Sequence, residues 1–407
     1  MKKRMYLIVF LFLTILCFGN SGVAEAEETT SIAIAQDNFP DANVRKALSE
    51  NFDKNKDMVL SEEEIVAAKK LSLDLSKESF EIDIRGISKL RYVKDVYIEV
   101  QRIKNIEELE AMPQLISLGL WTSNRSIDIS KNINLRELFL KMPLDKMVDI
   151  NENRKLKKLT LWGAHDMKKI TILNSPELRH LYLNFYNCED VTIKNCSKLL
   201  KVIIDSIKVK KLKLKKLPKL EVLEIEGAKK LKKLTLPSLP KLKQFEIDKN
   251  YLKKFNFKKM PNLKILTVTG ARKIKKIDLR PLKKLRELTW KNGKLQKIQF
   301  GKKKKLDRMY LQHNQLGGTW KLSRFPELSR FYCSYNRIKC IDGRNNKYLW
   351  ELVCKNNKLR KLDIYNTEPS VVKATGNPKV EVYLPYKYGY TTYYLDKTAK
   401  VHYREKY

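Results

Sequence analysis

The stretch "KLEVLEIEGAKKLKKLTL", Lys219 to Leu236, holds two apolar hexads: Leu220, Leu223 and Ile225, then Leu231, Leu234 and Leu236. Five residues separate them, and the second carries Lys232 and Lys233 between its leucines. Leu220 is one of a series of equivalent leucines: Leu115, Leu135, Leu156, Leu178, Leu199, Leu220, Leu242, Leu263, Leu285, Leu306, Leu328 and Leu349. The spacings run only from 20 to 22 residues. Each mark is followed by apolar residues at +3 and +5, such as Leu159/Leu161 and Leu266/Val268. Most turns add a second hexad, as at Ile170/Ile172, Leu212/Leu214 and Ile277/Leu279.

An L-x-L alternation has the two-residue period of a strand with one face buried. A unit of about 21 residues cannot bury its own apolar face, so neighbouring units must stack. The expected architecture is a right-handed solenoid, mainly β, of 12–13 turns over residues 82–366. Its first hexads form a parallel sheet on one face, and its second hexads form short extended segments on the other. Residues 27–81 are expected as a helical cap and 367–407 as a Tyr-rich β cap.

The segments "LWELVCKNNKLRKLDIYN" (349–366), "LSRFYCSYNRIKCID" (328–342) and "LDRMYLQHNQL" (306–316) resemble the leucine-rich repeat, most of all that of internalin-like bacterial surface proteins. The resemblance implies that Asn314, Asn336 and Asn357 form an inward hydrogen-bonded ladder. It places Cys333 and Cys354 at inward strand positions, as core rather than as metal or redox groups. It also implies that the parallel-sheet face meets protein partners. Gly293 and the longer turns around Ala228 and Ala271 depart from the asparagine pattern.

The N-terminus has a basic start, an apolar run from Met5 to Phe18 and the small-residue site Ala24-Glu25-Ala26. This reads as a secretory signal peptide, 1–26, cleaved after Ala26. No other run is long and apolar enough for a membrane span, and lipidation at Cys17 is not expected. The five remaining cysteines are too few and too scattered for a disulfide scaffold. The protein is expected to be secreted or held at the cell surface.

The chain has 84 Lys and Arg against 46 Asp and Glu, a net charge of +38. Residues 27–110 are net acidic and residues 111–407 strongly basic. In successive second hexads the outward pairs are lysines: Lys210-Lys211, Lys232-Lys233, Lys253-Lys254 and Lys275-Lys276. Stacking aligns them as columns, interrupted by the turn holding Glu189-Asp190, that read either as a solvated face or as a contact for a polyanion such as a cell-wall polymer (teichoic acid) or glycosaminoglycan. Nucleic acid is not an expected partner, because no aromatics interleave the columns.

The front sheet carries other chemistry. Asp205, Glu224, Glu226, Glu246 and Asp248 are expected to cluster at its centre, with Trp121, Phe139, Trp162 and Tyr182 on one shoulder and Tyr310 and Tyr332 on the other. These are candidate contacts for a protein ligand on a host or neighbouring cell. Four histidines, none in a metal or nucleophile motif, and carboxylates on an open face argue against an enzyme. The reading is thus an adhesion or recognition module. The alternative is an envelope-associated scaffold held through its lysines.

The segment "DKNKDMVLSEEE" in the N-terminal cap has calcium-loop spacing: Asp53, Asn55, Asp57, Val59 through its carbonyl, Ser61 and Glu64. Short helices are expected around 41–51 and 61–71. Met58 stands where the sharp turn favours glycine. Two readings stand here, a Ca2+ site of structural role and a degenerate loop that only caps the solenoid. The tail from Tyr383 to Tyr407 holds eight of the 19 tyrosines and suggests a hairpin around Gly389 that closes the last turn, or an aromatic sugar-binding surface.

Overall fold

The computed structural model describes residues 31–77, 79–164, 167–206, 208–385 and 391–403; the expected signal peptide lies outside them. Among the described residues, sixteen short strands form one continuous parallel sheet. Each of the twelve marks leads into one of these strands, and its first leucine is buried just ahead of it. Because the units are almost equal in length, the strands pair in register, apart from one bulge where Asn184 meets Trp162 but Phe185 meets Ala164. Leu138 stands beside Leu159, Leu159 beside Leu181, and Leu181 beside Val202. Their side chains share one core that runs from Ile34 to Leu384. Each fully buried leucine contributes roughly 1.5–3 kcal/mol, so stacking stabilises what a lone unit cannot.

The sheet reaches past 82–366 at both ends. Lys70–Asp74 and Asp95–Glu99 precede the first mark; Val371–Lys373 and Thr392–Tyr394 follow the last. These strands keep the two-residue alternation but lack the leading leucine that marks the others. The tail adds another parallel turn in place of the expected hairpin. Thr392–Tyr394 pairs with Val371–Lys373 in front, and Lys400–Tyr403 pairs with Glu381–Leu384 behind, both in parallel. Gly389, Tyr386, Tyr388, Tyr390 and Tyr407 lie outside the described residues.

At the N-terminus, helix α1 spans Ala42–Asn51, with the Asp41 carboxylate accepting from the Asn43 and Val44 amides. Helix α2 spans only Glu62–Ala67, opened by a reciprocal capping box between Ser61 and Glu64. It stops short of the expected residue 71 because "KLSLD" has strand alternation and joins the sheet.

The rear wall is discontinuous. Its largest pieces are a four-stranded patch (Lys169–Leu173, Asp190–Lys194, Lys211–Lys215, Lys233–Thr235) and a five-stranded patch from Gly317–Lys321 to Lys400–Tyr403. A two-stranded patch, Lys276–Asp278 with Lys297–Gln299, lies between them. Around Phe255 the wall bulges instead of forming a strand. Asn256 caps a 3-10 turn, Phe257–Lys259, and Phe255 packs against Phe245, Phe257 and Trp290.

Two asparagine ladders satisfy the turns. Asn314, Asn336 and Asn357 each donate through Nδ2 to strand carbonyls of their own and the preceding turn. Their Oδ1 atoms accept the amides of Leu295, Leu316 and Ile338. Asn377 continues this expected ladder. Asn132, Asn153 and Asn346 do a similar service at the opposite edge, each donating to two carbonyls. The described cysteines are all free. Burial pushes the Cys354 thiol up to about 12 and the Cys333 thiol well above its usual value, consistent with inert core positions.

Candidate functional site

Parallel pairing converts sequence spacing into columns of side chains on the open sheet. One outward column runs Tyr97, Gly119, Phe139, Thr160, Tyr182, Ile203, Glu224, Glu246 and onward to Tyr310 and Tyr332. The column beside it runs Glu99, Trp121, Lys141, Trp162, Asn184, Asp205 and Glu226. Strand spacing of about 4.8 Å puts successive members in van der Waals reach.

The first shoulder is aromatic. Trp121 and Trp162 are 41% and 37% exposed, large values for indoles on a regular sheet. The Lys141 ammonium lies between them, 2.8 Å from the Trp121 ring centroid and 5.1 Å from that of Trp162. Tyr182 tilts against Trp162 at 6.2 Å. A groove of 470 Å³ opens beside this cluster, lined by Tyr97, Gly119, Phe139 and Thr160 among others. A Cβ at position 119 would lie 2.7 Å from the Tyr97 ring, so glycine here lets Tyr97 lean across the face. Sequence reasoning missed Tyr97, which precedes the first mark, and Lys141; the lone glycine in "SLGLW" was the available signal for the groove.

The centre is acidic, as the spacing implies. Glu224 pairs in register with Glu246, and Asp205 with Glu226. Burial and then the neighbouring Asp205, Asp248, Glu224 and Glu246 raise the Glu226 carboxyl above its ordinary value. The repulsion is partly met. Asn184 donates to Asp205 at 2.8 Å, Gln244 donates to Glu246 at 2.7 Å, and Lys201 lies 3.5 Å from Glu224. Asp248 accepts from the Ala228 amide at 3.4 Å.

On the far shoulder Tyr310 and Tyr332 pack edge to face at 5.2 Å, with Lys291 4.9 Å over the Tyr310 ring. The Tyr332 hydroxyl donates to Glu351, which also pairs with Arg330 at 3.3 Å. Burial, then Glu351, pushes the Tyr332 hydroxyl up to about 12, so it stays a donor at neutral pH.

The rear lysines are only partly columnar. Lys169, Asp190, Lys211 and Lys233 are consecutive partners, so an acid interrupts the lysines. Lys210 bonds Glu189 at 2.6 Å and Lys211 lies 3.6 Å from Asp190. The Lys232 and Lys233 amides both donate to the Lys210 carbonyl, which stacks that pair on the one before it. Lys253 and Lys254 sit in the bulge around Phe255 and belong to no strand. Lys276 resumes beyond it, in register with Lys297, and the Lys275 carbonyl accepts the Gln296 and Lys297 amides. The rear is two basic patches divided by aromatic packing, which the lysine spacing alone does not reveal.

In the cap loop, Met58 adopts a φ of 63°, the left-handed turn that its position demands. Asp53 accepts the Met58 amide at 3.0 Å, and Asp57 accepts the Val59 amide at 2.8 Å and the Asn55 side-chain amide at 2.8 Å. Both Glu64 oxygens are engaged, by the Lys54 amide at 2.7 Å and the Ser61 amide at 2.9 Å. The Ser61 and Lys54 amides lower the Glu64 carboxyl. One buried Asp53 oxygen has no partner, but the other carboxylates serve the loop's own amides. Among the described residues no group of three or more His, Cys, Asp and Glu is placed to hold a metal ion.

No protein-family model matches the chain, and the search of curated proteins gave no match. Solved structures do match. The APL1 leucine-rich repeat domain superposes with a TM-score of 0.54 at 13% identity, covering 82% of this chain and 97% of that one. A chain of the LRIM1/APL1C complex gives 0.53 at 13% identity, covering 82% and 68%. An internalin (inlF) of Listeria monocytogenes aligns over 92% of this chain and 95% of its own at 17% identity, with a TM-score of 0.49. At these identities the likeness establishes the fold, a leucine-rich-repeat solenoid, and the two higher TM-scores together with the sheet itself carry that conclusion. No helix among the described residues is long and apolar enough to cross a membrane.

Proposed function

We propose that the chain is a secreted or cell-surface recognition protein, without catalytic activity, that grips a protein ligand on a host or neighbouring cell through its parallel-sheet face. The observation that carries this reading is the Trp121–Lys141–Trp162–Tyr182 cluster, exposed on a rigid sheet beside an acidic centre. Exposed aromatics and cations on a preformed surface make strong interface anchors, because little conformational entropy is lost on docking. One of the solved structures that the chain resembles is a complex, LRIM1/APL1C, which agrees with a partner-binding role. The acidic centre would select a ligand with a basic patch and speed its approach. Export by the 1–26 segment completes this reading, and the cap loop enters it as a closure for the first turn rather than as a sensor.

A second reading rests on the rear lysines. The patch around Lys211 and Lys233 would hold an anionic cell-wall polymer or glycosaminoglycan and retain the protein at the envelope while the front face stays free. The two readings separate by salt, since exposed charges are screened within about 10 Å at 0.1 M and contacts between desolvated aromatics are not. Loss of cell binding in a Trp162→Ala/Tyr182→Ala variant at constant fold tests the first; loss in Lys211→Glu/Lys233→Glu tests the second.

A further inference from the structure

The asparagine ladder that stitches the later turns together breaks upstream, where Gly293, Ala271 and Ala228 occupy the ladder position. One asparagine remains in that stretch, Asn250, isolated between Ala228 and Ala271. It is 2% exposed, and its Oδ1 accepts only the nearby Leu252 amide, at 3.3 Å. Its Nδ2 is buried and has no hydrogen-bond partner, whereas the Nδ2 atoms of Asn314, Asn336 and Asn357 each meet strand carbonyls. The Ile225 carbonyl of the preceding strand is taken instead by the Asp248 amide, at 3.1 Å.

Asn250 lines a half-open cavity of 540 Å³ at the edge where the front strands leave the sheet. Lys229, Lys249 and Arg272, from three consecutive turns, line it as well, with Tyr251 and Asn292, and no carboxylate is among the lining residues. The nearest ion pair at its wall is long, 4.0 Å from Lys249 to Asp248. Gly270, at a φ of 67°, also lines the cavity and approaches the Lys249 backbone so closely that a Cβ would lie 3.0 Å from Lys249 Cα.

We infer that this cavity is an oxyanion site that takes the phosphate or sulfate group of a sugar- or polyol-sized ligand. Three cations converging on one cavity repel each other, and a buried amide donor without an acceptor is unfavourable. A tetrahedral oxyanion relieves both at once, by accepting from Asn250 and neutralising Lys229, Lys249 and Arg272. The volume lies in the range of small-molecule sites, about 300–1,000 Å³, so the anion has room for an attached body whose hydroxyls meet Tyr251 and Asn292. The site is separate from the rear lysine patches and from the aromatic shoulder, and it stands or falls independently of the proposed protein partner.

The test is calorimetric titration of the full mature chain with inorganic phosphate, glycerol 1-phosphate and poly(glycerol phosphate), at fixed ionic strength. Glycerol 1-phosphate is expected to bind saturably with one site per chain, more tightly than inorganic phosphate. Asn250→Leu, which removes the orphan donor without opening the core, and Arg272→Gln are each expected to weaken binding about tenfold. Lys211→Gln/Lys233→Gln should leave it unchanged. If the small ester and the polymer compete for one site, the group comes equally from a free ester or a chain end; if only the polymer binds and the rear variant abolishes it, the inference is overturned. It is equally overturned if no ligand saturates, or if Asn250→Leu and Arg272→Gln both bind like the wild type.

Discussion

Glu224 and Glu246 stand directly opposite one another on neighbouring parallel strands, with the Gln244 amide 2.7 Å from Glu246 and 3.5 Å from Glu224. Beside them the Glu226 carboxyl is raised, by burial first and then by the neighbouring carboxylates. A folded-state value above the unfolded one means that the charged form destabilises the fold at neutral pH, and that the penalty lifts as pH falls through the raised value. Glu226→Gln is therefore expected to raise Tm at pH 7 by roughly 1–2 °C, from an in-sheet like-charge term of about 0.2–1 kcal/mol. The gain should shrink toward pH 4, as read by thermal denaturation across pH.

Lys303 gives a pH dependence of opposite sense. It is fully buried at the position that Asn132, Asn153 and Asn346 hold in other turns, and its Nζ donates to the Phe300 carbonyl at 2.5 Å. Burial pushes it down to about 8, below its unfolded value near 10.5. The unfolded chain thus binds more protons between those values, so this group makes stability rise with pH from about 8 to 10.5. Lys303→Met is expected to stabilise at pH 7 by up to about 3 kcal/mol, with the advantage fading above pH 8 in urea unfolding.

The asparagine ladder predicts a large, local cost. Asn336→Ala strands the Leu316 amide in the core and removes one of two donors from the Leu311 and Cys333 carbonyls, which keep Asn314 and Asn357. At about 1–3 kcal/mol for one stranded buried group, a loss of roughly 1–3 kcal/mol is expected in urea unfolding. A loss no larger than that of the exposed control Asn262→Ala, whose Nδ2 donates only to the Pro240 carbonyl, would contradict this assignment.

The cap loop separates its own two readings. Its carboxylates already satisfy the Met58, Val59, Lys54 and Ser61 amides. Millimolar calcium is therefore expected to leave Tm unchanged, while Ser61→Ala costs about 1 kcal/mol through the lost capping box. A calcium-dependent rise in Tm that Glu64→Gln abolishes would restore the metal reading.

Much of this was legible in the sequence because one physical variable, the spacing of leucines, fixes strand, register and core together. The twelve marks, the acidic centre and the paired Tyr310 and Tyr332 followed from it directly. The strands at Lys70–Asp74 and Thr392–Tyr394 did not, because their alternation lacks the leading leucine, and short alternating runs also fit caps and hairpins. Lys253 and Lys254 keep the spacing of their neighbours, yet packing among Phe245, Phe255, Phe257 and Trp290 overrides it. The Lys141 ammonium between two indoles depends on residues from three turns and leaves no local signal. The orphan Asn250 shows itself only when the carbonyls around it are counted.

The most direct test of the proposed front-face recognition is binding of the purified mature protein to intact cells, those of the producing organism and of candidate hosts, under rising salt. Wild type is compared with Trp162→Ala/Tyr182→Ala and with Lys211→Glu/Lys233→Glu, all verified as folded by circular dichroism. Binding to at least one cell type that persists through roughly 1 M salt, is lost in the aromatic variant and is retained in the rear variant is the predicted result. Release between roughly 0.2 and 1 M salt, with loss only in the rear variant, would contradict it and make the lysine patches the functional surface.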